Sequence, residues 1–198
     1  YIAYADTVKT RSFGSVQIIF QDFTAAVNQH MTVEEILGEP FRIRGTYSRT
    51  QKEKKIEALL DEVGLNREYK KRYPYELSGG QLQRVNIARA LGSEPRILIA
   101  DEPTASLDLS AQAQVLNLFQ DIRKSRNIGI VFISHNLSIL HYLCDRIAVM
   151  KQGRMVELAT AEKLFSAPLH PYTKALCNAV LSTDPHIARM QYSDYQNM

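Results

Sequence analysis

Two short apolar runs constrain this chain most: "RILIA", beginning at Arg96, and "IGIVFIS", from Ile128 to Ser134. Neither alternates apolar with polar residues, so both read as buried strands, and between them Val115, Leu118, Phe119 and Ile122 recur at the spacing of one helix face. Strand, helix and strand in that order dictate a parallel sheet, because parallel neighbours need a crossover long enough to carry a helix. "SVQIIF", from Ser15 to Phe20, reads as a further strand.

From there to Leu91 the pattern is largely helical. Ile56, Leu59, Leu60 and Val63 keep helical spacing, Gly64 stands where a helix stops, and Lys52, Lys54 and Lys55 fall on what should be a solvated face. After the second apolar run a short helix is expected from Leu137 to Tyr142, then a hairpin-like turn around Gly153. A helical tail should run from Thr160 to about Leu181, broken by Pro168 and Pro171, and the polar stretch from Asp184 to Met198 should be loose.

Composition bounds the function. With 198 residues, 45% hydrophobic and 23% charged, the chain can bury one good core. A net charge of +3 from 24 basic and 21 acidic residues favours neither nucleic acid nor acidic lipid as a partner. Cys144 and Cys177 are isolated, without C-x-x-C spacing, and fit a reducing compartment. No window approaches the ~18 consecutive apolar residues of a membrane span, and no signal peptide is visible, so a soluble cytoplasmic protein is expected. The chain begins at Tyr1, mid-pattern, and reads as an N-terminally truncated fragment.

Candidate chemistry gathers at the ends of the strands. "ILIADEP" sets Asp101 and Glu102 at the carboxyl end of a buried strand, where open α/β sheets present ligand-binding groups. In a phosphoryl-transfer site the first acid can hold Mg²⁺ and the second can accept a proton from the attacking water. "ISHNL" brings His135 out at the same sheet edge, with an imidazole able to bond a terminal phosphate or that water. "TASLDLS" supplies Ser106 and Asp108 on a turn, with Asp108 or Ser110 capping the next helix. Gln21, after "VQIIF", offers a neutral amide that could reach Mg²⁺ or water from a flexible loop.

"YELSGGQLQRVNIARAL", Tyr75 to Leu91, completes the set. Ser78 can cap an amphipathic helix beginning near Gln81, with a buried stripe of Leu82, Val85, Ala88 and Leu91. The amides of Gly79 and Gly80 can then point at phosphate oxygens in the favourable field of a helix amino end. No G-x-x-x-x-G-K-[ST] phosphate loop occurs in the 198 residues. Lys9 and Thr10 lack the glycines that would let successive amides converge, so "VKT" is an ordinary surface segment.

Taken together, "LSGGQ" at 77 to 81, "ILIADEP" at 97 to 103, "SLD" at 106 to 108, "SH" at 134 to 135 and "FQD" at 20 to 22 resemble an ATP-binding cassette (ABC) ATPase. "MTVEEILGEPFRIRG", "RYPYELSGGQLQR" and "PLHPYTKAL" look like the oligopeptide, dipeptide and nickel importer branch. The resemblance implies a P-loop NTPase-like α/β fold, a parallel sheet core with an inserted helical subdomain. It divides the chain into 1–30 (core remainder with the glutamine loop), 31–91 (helical subdomain with the signature), 92–159 (core with the acid pair and His135) and 160–198 (carboxyl-terminal extension).

The same resemblance implies ATP and Mg²⁺ as cofactors, with Asp101 as magnesium acid, Glu102 as general base, His135 as switch histidine and Gln21 as coupling glutamine. Ser78, Gly79, Gly80 and Gln81 would hold the nucleotide phosphate of a second ATPase subunit, and the lysine loop for the chain's own site would lie upstream of Tyr1. Membrane permease subunits, and indirectly a solute-binding protein, are the implied partners at the cytoplasmic face of the membrane. The chain departs from the branch at "QDFTAAVNQH", where a proline-aromatic pair usually follows the glutamine-aspartate. A non-catalytic regulatory or binding module, and a cassette protein acting on ribosomes or DNA, are the alternatives. The latter lacks a second cassette or a long basic linker.

Overall fold

The computed structural model describes residues 15–45 and 47–181. Lys9, Thr10 and the tail from Asp184 to Met198 lie outside the described residues. The chain forms two compact units, one ending at Ile133 and the other beginning at Ser134.

The first unit holds a three-stranded parallel sheet in the order β1 (Val16–Ile19), β2 (Ile97–Asp101), β3 (Gly129–Ile133). Ile19 pairs with Ala100, and Asp101 with Ile133. Between β1 and β2 lie α1 (Val33–Arg44), α2 (Arg49–Glu62), 3-10 turns at Arg67–Lys71 and Pro74–Glu76, and α3 (Gly79–Gly92). The helix α4 (Leu109–Ser125) crosses from β2 to β3.

The helix starts are written locally. Thr32 and Glu35 for α1, Ser48 and Gln51 for α2, and Ser78 and Gln81 for α3 each form a reciprocal capping box, satisfying two otherwise orphaned amides apiece. Gly45 then ends α1 with a left-handed φ of 70°. The helix faces make the core: Ile36, Leu37 and Phe41 of α1, Ile56, Leu59 and Leu60 of α2, and Leu82, Val85, Ile87 and Leu91 of α3 are buried. Val115, Leu118, Phe119 and Ile122 form the buried stripe of α4 that their spacing predicts.

Three expectations need correction. The strand β3 is not buried: Val131 and Ile133 are 48% and 46% exposed. Among the described residues only one face of the sheet is covered. Leu98 and Ala100 are buried there, and Phe132 meets Phe119 of α4 edge-on at 5.2 Å. The opposite face, carrying Ile18, Val131 and Ile133, stays open. Lys55 does not stand free in solvent, for its ammonium pairs with Glu94 at 3.1 Å and lies over the rings of Phe41 and Tyr47. Nor is α3 amphipathic. It packs on α1, α2, α4 and β1, so Gln83 and Asn86 are buried along with its apolar residues.

In the second unit α5 (Leu137–Leu143) leads to an antiparallel hairpin, β4 (Arg146–Lys151) and β5 (Arg154–Thr160). Its turn is at Gln152 and Gly153, which take φ of 49° and 76°. Two helices follow, α6 (Ala161–Ser166) and α7 (Pro171–Leu181), with Pro168 between them and Pro171 opening α7. Glu157 of β5 accepts the N–H groups of Leu169 and His170, both at 2.9 Å, just ahead of α7. Among the described residues Cys144 and Cys177 form no disulfide. Cys177 is buried and donates to the Leu164 carbonyl at 3.5 Å.

Candidate functional site

The register of the parallel strands decides what meets at their carboxyl edge. Because Ile19 stands opposite Ala100, Gln21 leaves the sheet at the edge where Asp101 ends β2. Asp101 and Glu102 are both half-buried, and Gln21 is exposed. Glu102 is a non-glycine residue with φ of 44°. The left-handed region is costly for a side chain with a Cβ, roughly 1–2 kcal/mol, and persists where neighbours over-determine it. Here the Glu102 N–H donates to Ile133 of β3 at 3.0 Å, and its carbonyl accepts from Ala105 at 3.2 Å. The turn breaks the strand's alternation directly after Asp101.

Asp108 caps α4, its Oδ1 accepting from Ala111 at 2.9 Å, so Asp108 rather than Ser110 fills that role. Ser106, two residues before it, is exposed. The start of α3 lies against this region. Ser78 is the cap, as the sequence predicts, but the helix begins at Gly79 rather than near Gln81. The Gln81 N–H donates to Ser78 Oγ at 3.3 Å and the Leu82 N–H to the Ser78 carbonyl at 2.9 Å. The amides of Gly79 and Gly80 are thus the first-turn donors left without a partner among the described residues. Open amides at a helix amino end suit an anion. The Gln81 side chain is held too, donating to Tyr69 Oη at 3.0 Å while its Oε1 accepts from Ser78 N–H.

The two glycines also have packing reasons. A Cβ on Gly80 would stand 2.8 Å from the Ala111 Cβ, and one on Gly79 would stand 3.4 Å from the Phe23 ring. Phe23, the departure from the branch pattern, is therefore buried at the mouth of α3.

The segment after Gln21 is pinned rather than free. Asp22 Oδ1 accepts from the Thr24 hydroxyl at 2.6 Å and from the Thr24 and Ala25 amides at 3.0 Å. These bonds, the Thr24 hydroxyl first, hold its carboxyl below the ordinary carboxylate range. Asn86 donates to the Phe23 carbonyl at 3.0 Å and Arg89 to the Ala26 carbonyl at 2.6 Å. Gln83 donates to the Pro103 carbonyl at 2.8 Å. Sequence reasoning missed Gln83, Asn86 and Arg89. The available signal was weak, for these residues share the helix with Gln81 and Arg84 and spacing alone does not single them out. A cavity of about 260 Å³ opens between β1 and α3, lined by Gln17, Asn86 and Arg89 among others but by neither acid.

His135 follows β3 by two residues, is exposed, and belongs to the second unit. Among the described residues no group of three or more His, Cys, Asp or Glu could hold a metal ion. The donors Asp101 and Gln21 instead fit the Mg²⁺ sites that take one or two protein ligands and complete their shell with substrate phosphate and water.

Residues 4–105 match the ABC transporter family, and residues 156–196 match the carboxyl-terminal region of oligopeptide/dipeptide transporters. The chain belongs to the ABC transporter family, and its fold is the α/β, parallel-sheet fold of that family's ATPases. It is 48% identical over 176 residues to the oligopeptide transport ATP-binding protein OppF of Bacillus subtilis, covering 88% of this chain and 57% of that protein. To OppF of Escherichia coli it is 44% identical over 178 residues, 88% of this chain and 52% of that protein. To the dipeptide transport ATP-binding protein DppF of Lactococcus lactis it is 44% identical over 170 residues, 85% of this chain and 54% of that protein. The chain thus spans little more than half the length of the curated relatives it matches.

Proposed function

We propose that this chain is part of the ATP-hydrolysing subunit of an importer that takes up peptides or a similar small solute, nickel included. One observation carries the reading: two adjacent acids at the carboxyl edge of the central parallel strand, the second fixed in a left-handed turn. The similarity to oligopeptide and dipeptide transport ATP-binding proteins supports the cargo class.

In this reading Asp101 and Gln21 hold Mg²⁺, which when bound neutralises charge on the phosphate oxygens. Glu102 accepts the proton of the attacking water, and His135 orients that water or the terminal phosphate. The Gly79 and Gly80 amides, framed by Ser78 and Gln81, receive the phosphate of a nucleotide whose lysine-bearing loop lies on a second ATPase subunit. Ser106 and Asp108 border that same interface. Residues 31–91 serve as the helical subdomain and 160–198 as the extension. Gln21 couples the cassette to membrane permease subunits, with a solute-binding protein engaged through them and no nucleic acid involved. No helix among the described residues is long and apolar enough to cross a membrane, which fits a peripheral place at the cytoplasmic face.

The substitution Glu102→Gln in the full-length protein tests the assignment. Mg-ATP binding should persist while turnover falls by about 10²-fold, because shape is kept and the proton acceptor is lost. Turnover close to wild type would remove Glu102 from that role.

A further inference from the structure

We infer that Gln83 is a positioning residue for Glu102, setting the geometry of the turn that carries the proton acceptor; the inference rests on the role proposed above for Glu102. Gln83 is fully buried, its Nε2 donates to the Pro103 carbonyl at 2.8 Å, and its Oε1 has no hydrogen-bond partner among the described residues. A buried acceptor left without a protein partner is destabilising, and a leucine or methionine would fill similar space without it. Packing alone does not account for an amide here. The bond to Pro103 does.

The amide orientation follows from chemistry. A carbonyl only accepts, so turning the Gln83 amide over would set two oxygens face to face. Proline has no N–H, so this carbonyl is the sole backbone hydrogen-bonding group that Pro103 possesses. It follows directly on Glu102, whose φ of 44° must be imposed by its surroundings.

The restraints on that turn come from distinct directions. Ile133 of β3 takes the Glu102 N–H, Ala105 donates to the Glu102 carbonyl, and Gln112 of α4 donates to the Thr104 hydroxyl at 3.4 Å. Gln83 supplies the restraint from α3, one helical turn after Gly79. The same rigid helix therefore presents two open amides at its mouth and grips the acid turn with the next turn of its body. An anion seated on Gly79 and Gly80 would press on the helix that fixes the proton acceptor.

The test uses Gln83→Met and Gln83→Leu in the full-length protein, each alone and combined with Glu102→Gln. Steady-state and single-turnover hydrolysis of Mg-ATP and thermal melting are measured. With Glu102 intact, kcat should fall about tenfold with KM within about twofold, the signature of an interaction made in the transition state. Against Glu102→Gln the same change should cause no further loss, because the group it positions is already gone. A kcat within twofold of wild type, a rise in KM alone, or an equal loss in both backgrounds overturns the inference. Melting lowered by more than about 10 °C in both variants assigns Gln83 to folding and also overturns it. Wild-type protein without turnover, or Glu102→Gln with full turnover, sinks the functional reading itself and the inference with it.

Discussion

Gly80 is expected to be a glycine for a reason separate from the anion proposed to bind there. Its backbone is ordinary helix, yet a Cβ placed there would sit 2.8 Å from the Ala111 Cβ. Carbon atoms pack at about 3.5–4.0 Å, so Gly80→Ala must part α3 from α4 by roughly an ångström. Overpacking of that kind costs about 1–3 kcal/mol, against up to about 1 kcal/mol gained from the better helix propensity of alanine. The net loss should be about 1–2 kcal/mol, or about 2–8 °C in Tm for 150–250 residues. Ala111→Gly removes the opposing carbon and by itself costs about 1 kcal/mol. In the double variant the clash is gone, so the thermodynamic cycle should return a favourable coupling of about 2 kcal/mol. Thermal and denaturant unfolding of the four full-length proteins measures it. Strictly additive effects, or a Gly80→Ala protein more stable than wild type, would refute the packing argument.

Asn86→Leu should leave the Phe23 carbonyl without its donor at a cost of about 1–3 kcal/mol, and limited proteolysis should then cut faster between residues 22 and 31. An unchanged cleavage pattern would mean that Asn86 does not anchor that segment. Glu157 should make the start of α7 acid-labile. Partial burial pushes its carboxyl up, but the hydrogen bonds from the Leu169 and His170 amides help to outweigh it and hold the group below its ordinary 4.5. A depressed folded-state pKa stabilises fully above the ordinary value, and the contribution is lost as pH falls through the depressed one. Hydrogen-exchange protection in the first turn of α7 should therefore drop below about pH 4.5, where Glu157→Gln should show a flat response.

Local signals carried over into the structure well, while long-range ones were only partly legible. The stripe Ile56, Leu59, Leu60 and the cap Ser78 depend on neighbours three or four residues away, so spacing and side-chain type suffice to read them. The strand β3 shows the limit. Its apolar run reads as covered on both faces, yet whether a helix lies over Val131 and Ile133 is decided by distant parts of a chain, not by the run. Likewise Gln83 and Asn86 look like the polar side of an amphipathic helix until α1, α2, α4 and β1 close around α3. The place of the acid pair at a strand end was legible, because the apolar run stops at Asp101. The left-handed φ of Glu102 was not, since glutamate carries no preference for it.

The pairing of β1 with β2 has a kinetic consequence. Val16 lies opposite Ile97, so about eighty residues of chain must close before this edge of the sheet can form. Each halving of an open loop returns only about 0.6 kcal/mol of closure entropy, so shortening eighty flexible residues to an effective twenty lowers the barrier by about 1 kcal/mol. The helices α1, α2 and α3, each with its own start written into adjacent residues, can perform that shortening by condensing on one another first. The helical insert should thus be structured early on the folding path, with the parallel sheet closing behind it and the acid turn set last.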